Sequence, residues 1–392
     1  MSNSKRNAAL AFVGLLALSI YILACTSFSP DDTKVLYPAF DTSSGTTGMA
    51  VYNRQTRSSE LLFAPATYAA GDTNAQESPC LLRGGWLANG HEIVVAYASP
   101  NEEQNPGMVV AVMPWDMRKP VRTFRLAGIK DVGESLVTPL CISGQRLFLQ
   151  ASNHTVLRLD LLSGELVAHE CADAKGDVAV YPSPDGTGVF YLEAAEGEGK
   201  TLFGRMNPKD FSRTPLMVLS NQLRESEAFA YDKDGKVLVW LSVDEQKASL
   251  QVWREGKAAF SRELDLHGHK RTFGNAILAP DGRAVRASFQ QPNGTNATSY
   301  GLMEIPFSDA PPREVILIKE APSHDADSVK YFEFGMSHDG KAAAVASTYL
   351  ALFEKPISPA DCALFLVDLS EPEWKVTKVP IAMPAKLTPV IK

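Results

Sequence analysis

The stretch Tyr181-Pro182-Ser183-Pro184-Asp185-Gly186 joins two short runs that have the composition of β-strands, residues 177–180 and residues 189–192. Aspartate followed by glycine favours a tight turn, because glycine adopts positive φ freely and the aspartate side chain can accept hydrogen bonds from the turn backbone. The proline just before this pair ends the first strand. The stretch therefore predicts a β-hairpin.

Related turns recur along the chain. The clearest copies contain Asp234-Gly235, Asp281-Gly282 and Asp339-Gly340, and weaker copies end at Gly90 and Gly144. Successive glycines, at 90, 144, 186, 235, 282 and 340, are 54, 42, 49, 47 and 58 residues apart. This spacing suits one four-stranded propeller blade with its loops. The aspartates of these turns are expected to cap the turn backbone and not to act in catalysis.

The repeated turns resemble those of the TolB-like Asp-Gly-repeat propellers, which are related to the WD-repeat family. The resemblance covers residues 34–382 and implies an all-β fold, a single β-propeller of four-stranded antiparallel blades. We predict seven blades, with six and eight as alternatives and a β-sandwich as the competing architecture. Propellers host many unrelated functions, so the fold alone does not identify a ligand.

The N-terminus has the form of a secretory leader. Lys5 and Arg6 precede an apolar run, residues 8–24, which leads into Cys25. The sequence Ile22-Leu23-Ala24-Cys25 resembles a bacterial lipobox, although Ile22 and Leu23 differ from its commonest residues. The resemblance implies that residues 1–24 are a signal peptide of the lipoprotein type, and that Cys25 carries lipid after cleavage.

Two other readings of the leader remain open. An uncleaved anchor of about 17 residues would reach only about 25 Å, which is short for a bilayer core of about 30 Å. Plain secretion, with Cys25 incidental, is the third reading. All three place the folded part outside the cytoplasm. Thr26 follows the cysteine in place of aspartate, and the lipoprotein resemblance then implies the outer membrane, facing the periplasm.

The composition is that of an ordinary globular protein. The chain has 392 residues, of which 45% are hydrophobic and 21% charged, so it can bury a large core. The formal net charge is −7 and the sequence has no basic stripe. A nucleic-acid partner is therefore disfavoured.

The chain divides into a leader, a tether, a ring and a tail. We predict a tether over residues 25–34, the propeller over residues 35–382, and a tail over residues 383–392. Residues 35–40, 49–53 and 60–63 supply three strands of the first blade, and residues 386–392 are a candidate for its missing inner strand. Long loops at residues 99–107, 290–298 and 351–361 lie opposite the Asp-Gly turns. We predict that they form the recognition face, with neutral insertions as the alternative.

Four further cysteines follow the leader: Cys80, Cys141, Cys171 and Cys362. They allow three disulfide pairings, or they remain free thiols. His267 and His269 form a weak metal-binding pair next to Lys270 and Arg271, and residues 324–327 lack the glycine and glutamate of a calcium loop. We predict no metal and no cofactor.

The sequence contains no Gly-x-Ser-x-Gly and no His-Glu-x-x-His motif, so a hydrolase domain like that of the prolyl oligopeptidases is not expected. Asn153, Asn293 and Asn296 match glycosylation acceptors, which would be chance matches in a bacterial lipoprotein. We predict a non-enzymatic binding or scaffold module for a protein or another envelope component. The alternative is a propeller enzyme that acts on a glycan or lactone in the central channel, using paired carboxylates.

Overall fold

The structure is a computed structural model that describes residues 26–41, 46–63, 82–99, 107–117, 120–126, 140–151, 154–176, 178–196, 200–219, 228–244, 247–265, 271–292, 297–322, 328–351, 363–380 and 382–383. These residues form 29 β-strands in seven sheets. None of them belongs to a helix that could cross a membrane.

Six of the sheets are four-stranded antiparallel blades built from consecutive strands. Blades two to four contain β5 (Leu82–Trp86), β6 (Glu92–Ser99), β7 (Gly107–Pro114), β8 (Arg122–Leu126), β9 (Cys141–Ser143), β10 (Arg146–Ala151), β11 (Thr155–Asp160), β12 (Leu166–Glu170), β13 (Ala179–Pro182), β14 (Val189–Ala194), β15 (Thr201–Met206) and β16 (Arg213–Leu219). Blades five to seven contain β17 (Ala228–Tyr231), β18 (Val237–Asp244), β19 (Lys247–Arg254), β20 (Lys257–Leu264), β21 (Thr272–Leu278), β22 (Ala284–Pro292), β23 (Ala297–Pro306), β24 (Arg313–Pro322), β25 (Ser328–Met336), β26 (Ala342–Ala351), β27 (Ala363–Asp368) and β28 (Lys375–Pro380). The prediction of a seven-bladed, all-β propeller is confirmed.

The antiparallel order gives the ring two different faces. The Asp-Gly turns, which join the first and second strands, lie on one face together with the connections between the third and fourth strands. We call this the turn face. The connections between the second and third strands and the crossings to the next blade lie on the other face, which we call the loop face.

The core consists of thin apolar layers between blades. Among the described residues, seven clusters of buried apolar side chains fill the seven interfaces between neighbouring blades. Between blades four and five, for example, the buried Trp240 packs with Phe190 and Phe203. Strands that are apolar on both sides follow from this arrangement, because each inner blade surface faces a neighbour and not solvent.

Blade one is closed by both ends of the described chain. It contains β1 (Ser27–Phe28), β2 (Lys34–Asp41), β3 (Thr46–Asn53), β4 (Ser58–Phe63) and β29 (Ala382–Met383). On the inner edge of β2, β1 pairs antiparallel near the turn face, with Ser27 opposite Leu36. On the same edge, β29 pairs parallel near the loop face, with Ala382 opposite Phe40. The missing inner strand is therefore composite.

This closure corrects one prediction, whereas the closing strand expected at residues 386–392 stays a prediction. The segment predicted to be a tether is part of the ring from Thr26 onwards: Thr26 and Ser29 are buried, and residues 29–34 form the turn of blade one. The sequence concealed this turn because Asp32, at φ +57°, occupies the position that glycine takes elsewhere. The C-terminal contribution comes from Ala382–Met383, whereas residues 386–392 lie outside the described part of the chain.

Candidate interaction surfaces

The same hydrogen-bond network holds the turns of blades one, four and seven. In each turn a serine hydroxyl donates to the aspartate two residues later: Ser29 to Asp31 at 2.5 Å, Ser183 to Asp185 at 2.6 Å, and Ser337 to Asp339 at 2.7 Å. The serine oxygen in turn accepts a hydrogen bond from the backbone N–H five residues later, at 2.7–2.9 Å. These aspartates serve the backbone of their own turns.

The other turns share the geometry with small changes. The glycines all have positive φ: Gly186 at +67°, Gly235 at +69°, Gly282 at +65° and Gly340 at +68°. In blade six, Asp281 accepts from the backbone N–H of Arg283 at 3.0 Å. In blade five, Asp232 takes the place of the serine and accepts from the N–H of Val237 at 2.9 Å, while Asp234 is exposed.

Neighbouring turns also touch one another around the ring. The carboxylate of Asp32 accepts from the backbone N–H of His338 at 2.9 Å and lies 2.8 Å from its Nδ1, which joins blade one to blade seven. Between blades three and four, the N–H of Gly144 donates to the carbonyl of Gly186 at 3.1 Å. The turns of blades one and seven are therefore hydrogen-bonded to each other, as are the turns of blades three and four.

The turn of blade one holds its aspartate strongly ionised. Burial opposes the ionisation of Asp31, but hydrogen bonds from Ser29 and Thr33 outweigh it and lower the pKa from 3.8 to about 2. A carboxylate with a lowered pKa stabilises the folded state at pH values above its unfolded pKa. That contribution is lost as the pH falls through the folded value.

We expect the Asp31→Asn variant to be less stable than the wild type at pH 6, with the difference disappearing between about pH 4 and about pH 2. The amide keeps the shape of the side chain and an acceptor oxygen but cannot ionise. The variant therefore loses only the stabilisation that depends on the negative charge of Asp31. Urea unfolding of both proteins across this pH range measures it. A difference in the free energy of unfolding that stays unchanged down to about pH 2 would contradict the lowered pKa of Asp31.

An exposed apolar surface lies on the turn face of blades two and three. Six large hydrophobic side chains are exposed among the described residues, and four of them lie at the connections between the third and fourth strands of these two blades. They are Met117, Val121, Leu162 and Leu166, with 44–61% of each residue exposed. The two connections are adjacent, since Gly164 faces the ring of Phe124 on β8. We call these four residues the apolar rim.

A partly buried ionic cluster lies between blades three and four, in which Arg213 and Glu193 are shielded and the side chain of Asp173 is exposed. The largely buried guanidinium of Arg213 donates to Glu193 and to Asp173 and covers the ring of Tyr191 at 5.7 Å. Burial raises the pKa of Glu193 in spite of Arg213, and burial together with Glu193 raises the pKa of Tyr191 to about 12. Burial also raises the pKa of the nearby Cys171 thiol, so this sulfur is not an activated nucleophile.

Arginines also fasten blades to their neighbours, and the sequence analysis missed them. Each donates to backbone carbonyls in the turn between the third and fourth strands of the next blade: Arg158 to Lys209 at 2.5 Å, Arg262 to Ala310 at 2.8 Å, and Arg313 to Pro372 at 2.7 Å. The sequence holds no signal for them, because the acceptors are main-chain atoms and carry no residue identity.

Several sequence predictions lie outside the described residues. They are Cys25, Cys80, Cys362, His267, His269, residues 324–327, Asn153, Asn293 and Asn296. The predicted recognition loops also run through undescribed residues, so that prediction stays a prediction. Cys141 and Cys171 are buried free thiols. In the part of the chain that the structure describes, no group of three or more His, Cys, Asp or Glu side chains could hold a metal ion.

No protein-family model matches the chain, and no curated protein matches it. Among solved structures it is similar to the complex of KlAtg21 with the coiled-coil of AgAtg16, with 9% identity over 91% of this chain and 98% of that chain and a TM-score of 0.56. It is also similar to a structure from an analysis of two prolyl endopeptidases, with 12% identity over 96% of this chain but only 54% of that chain and a TM-score of 0.51.

A third neighbour is the C-terminal WD40 domain of Sif2, with 12% identity over 89% of this chain and 83% of that domain and a TM-score of 0.44. At these identities the likeness concerns the fold alone. The chain is a seven-bladed propeller with WD40 propellers among its structural neighbours, and the chemistry of those proteins does not transfer to it.

Proposed function

We propose that the protein is an exported lipoprotein, acylated at Cys25, whose propeller binds a protein partner as a non-enzymatic scaffold of the cell envelope. One observation carries the proposal. A leader-like segment ends at a lipobox-like cysteine, and the ring begins at the very next residue, the buried Thr26. An acyl group at Cys25 would therefore hold the propeller directly at a membrane surface.

The apolar rim is the surface we propose for the partner. Exposed apolar side chains that cluster on a rigid scaffold mark protein-binding sites. The two connections that carry the rim lie side by side, since Gly164 of blade three faces the ring of Phe124 of blade two. The propeller of KlAtg21, solved with a coiled coil, is an example of this fold in contact with protein.

The anchor is tested by the intact mass of the protein extracted from membranes. We expect a chain that starts at Cys25 and carries acyl groups, and we expect the modification and the cleavage to be lost in the Cys25→Ala variant. An unmodified chain of full length, or an unmodified secreted chain, would overturn the lipid anchor. The mass separates these outcomes directly, because each predicts a different N-terminus.

The partner surface is tested with the double variant Met117→Asp/Leu162→Asp. Both side chains are exposed, so the thermal melt should stay unchanged while copurification of the partner from solubilised membranes is lost. Val376→Asp, at an exposed apolar position on blade seven, is the matched control and should retain the partner. Equal retention by the double variant and the control would show that the rim does not bind the partner.

A further inference from the structure

Thr26 and Ser27, the residues that follow Cys25, are held between two blades inside the ring, in a position that we call the seat. The carbonyl of Thr26 lies so close to Gly335 on β25 that a Cβ there would overlap it. On the other side, Nε1 of Trp86 on β5 donates to the carbonyl of Ser27 at 3.2 Å. The start of the described chain is thus held between the inner strands of blades seven and two, with no slack of its own.

The pairing of β1 fixes the direction in which this segment points. Strand β2 begins at the turn of blade one, at Lys34, and runs towards the loop face, ending at Asp41. Because β1 is antiparallel to β2, its chain runs towards the turn face, and its N-terminal end points towards the loop face. The attachment point of a lipid at the preceding residue is therefore on the loop-face side of β1.

The distance from β1 to the loop face determines which face of the ring a lipid at Cys25 could bring to the membrane. Ser27 lies opposite Leu36, five residues from the loop-face end of β2, which is about 17 Å at 3.3 Å per residue. Cys25 is one peptide unit beyond Thr26, or about 3.8 Å between Cα atoms. So short a connection cannot carry a lipid around the outside of the ring. The lipid must leave through the opening of the ring on the loop face, and this brings the loop face to the bilayer.

We infer that the propeller stands with its loop face against the membrane and its turn face directed away from it. This inference rests on the proposed acylation of Cys25. It gives the apolar rim a position on the far side of the ring from the lipid, where a partner outside the membrane can reach it.

The orientation is tested by quenching of a fluorophore by lipids that carry a spin label on the headgroup. Blade four offers a matched pair of exposed sites: Glu196→Cys on the loop face and Asp210→Cys on the turn face. The intervening strand β15 has six residues, so the sites differ in height by about 20 Å. The full acylated chain is reconstituted in phosphatidylethanolamine–phosphatidylglycerol vesicles, and the protein without either substitution, labelled in parallel, supplies the background.

We expect several-fold stronger quenching at position 196 than at position 210. Equal or reversed quenching in protein that floats with the vesicles would overturn the orientation while leaving the anchor intact. Protein that does not float would overturn the anchor and the orientation together.

The seat itself is tested with Gly335→Ala, which should displace Thr26 and bring the quenching at the two positions closer together. If that variant does not fold, Trp86→Phe removes the hydrogen bond to Ser27 together with part of a buried ring, and it should act in the same direction. A quenching ratio that neither change alters would show that the seat does not set the orientation.

Discussion

Replacing Gly301 by alanine is expected to lower the free energy of unfolding by about 3 kcal/mol, near the upper end of what overpacking a core usually costs. Gly301 lies on β23, and a Cβ there would come within 2.5 Å of a ring carbon of Phe289 and within 2.5 Å of the carbonyl oxygen of Val315. The ring could rotate away, but the carbonyl belongs to the adjacent strand β24. Relief therefore requires a shift of the backbone pairing between β23 and β24.

Urea unfolding measures this loss, and Gly176→Ala supplies the control. At Gly176 the nearest atom to an added Cβ is the Cβ of Ala194, at an ordinary 3.5 Å, and its φ is not in the left-handed region. We expect that variant to stay within about 1 kcal/mol of the wild type. If Gly301→Ala and Gly176→Ala proved equally stable, the packing of Phe289 over the glycine would not matter for folding.

The second large effect is expected at Arg286, which joins blade six to blade seven. Its Nε donates to Oε2 of Glu304 at 2.7 Å, and its Nη1 donates to the carbonyl of Gly340, in the turn of blade seven, at 2.7 Å. Arg286 is buried and Glu304 is largely shielded. We expect Arg286→Leu to cost about 3 kcal/mol, since among the described residues it leaves the shielded carboxylate of Glu304 with Arg313, 3.5 Å away, as its cationic partner.

A control variant distinguishes the cost of losing this shielded ion pair from the cost of losing an exposed one. Lys247 and Glu263 form an exposed pair on blade five, and Lys247→Leu should change the stability by less than about 1 kcal/mol. The double variant Arg286→Leu/Glu304→Leu should recover part of the loss, because it removes the unpaired charge. Denaturation showing Arg286→Leu no worse than Lys247→Leu would refute the link between the blades.

Aromatic rings that pack over glycines of the neighbouring strand are a feature that the spacing of the turns does not predict. In blade four the ring of Tyr191 covers Gly204, and in blade six the ring of Phe289 covers Gly301. In both blades an arginine lies over the ring: Arg213 over Tyr191 and Arg271 over Phe289. The pairing depends on which residues face each other across two strands, which the spacing of turns does not reveal.

The turn of blade one cannot be recognised from the Asp-Gly pattern alone. Residues 29–34 make the same hydrogen bonds as residues 183–188, yet the sequence analysis interpreted them as a tether. Aspartate tolerates the left-handed conformation well enough to replace glycine at Asp32, so the Asp-Gly signature was absent although the turn was present. The serine and the first aspartate, at the same spacing, were the signal that could have identified it.

By itself the sequence determined the repeat and the fold class and favoured seven blades over six or eight, because a tight turn between two strands depends on a few adjacent residues and leaves its mark wherever it recurs. Only the tertiary structure decided how the ring closes. Asp32 meets His338 across 306 residues, and β1 and β29 share one edge of β2. Such contacts form between positions that no local pattern relates, since their energy comes from surfaces that meet only once the blades have packed into a ring.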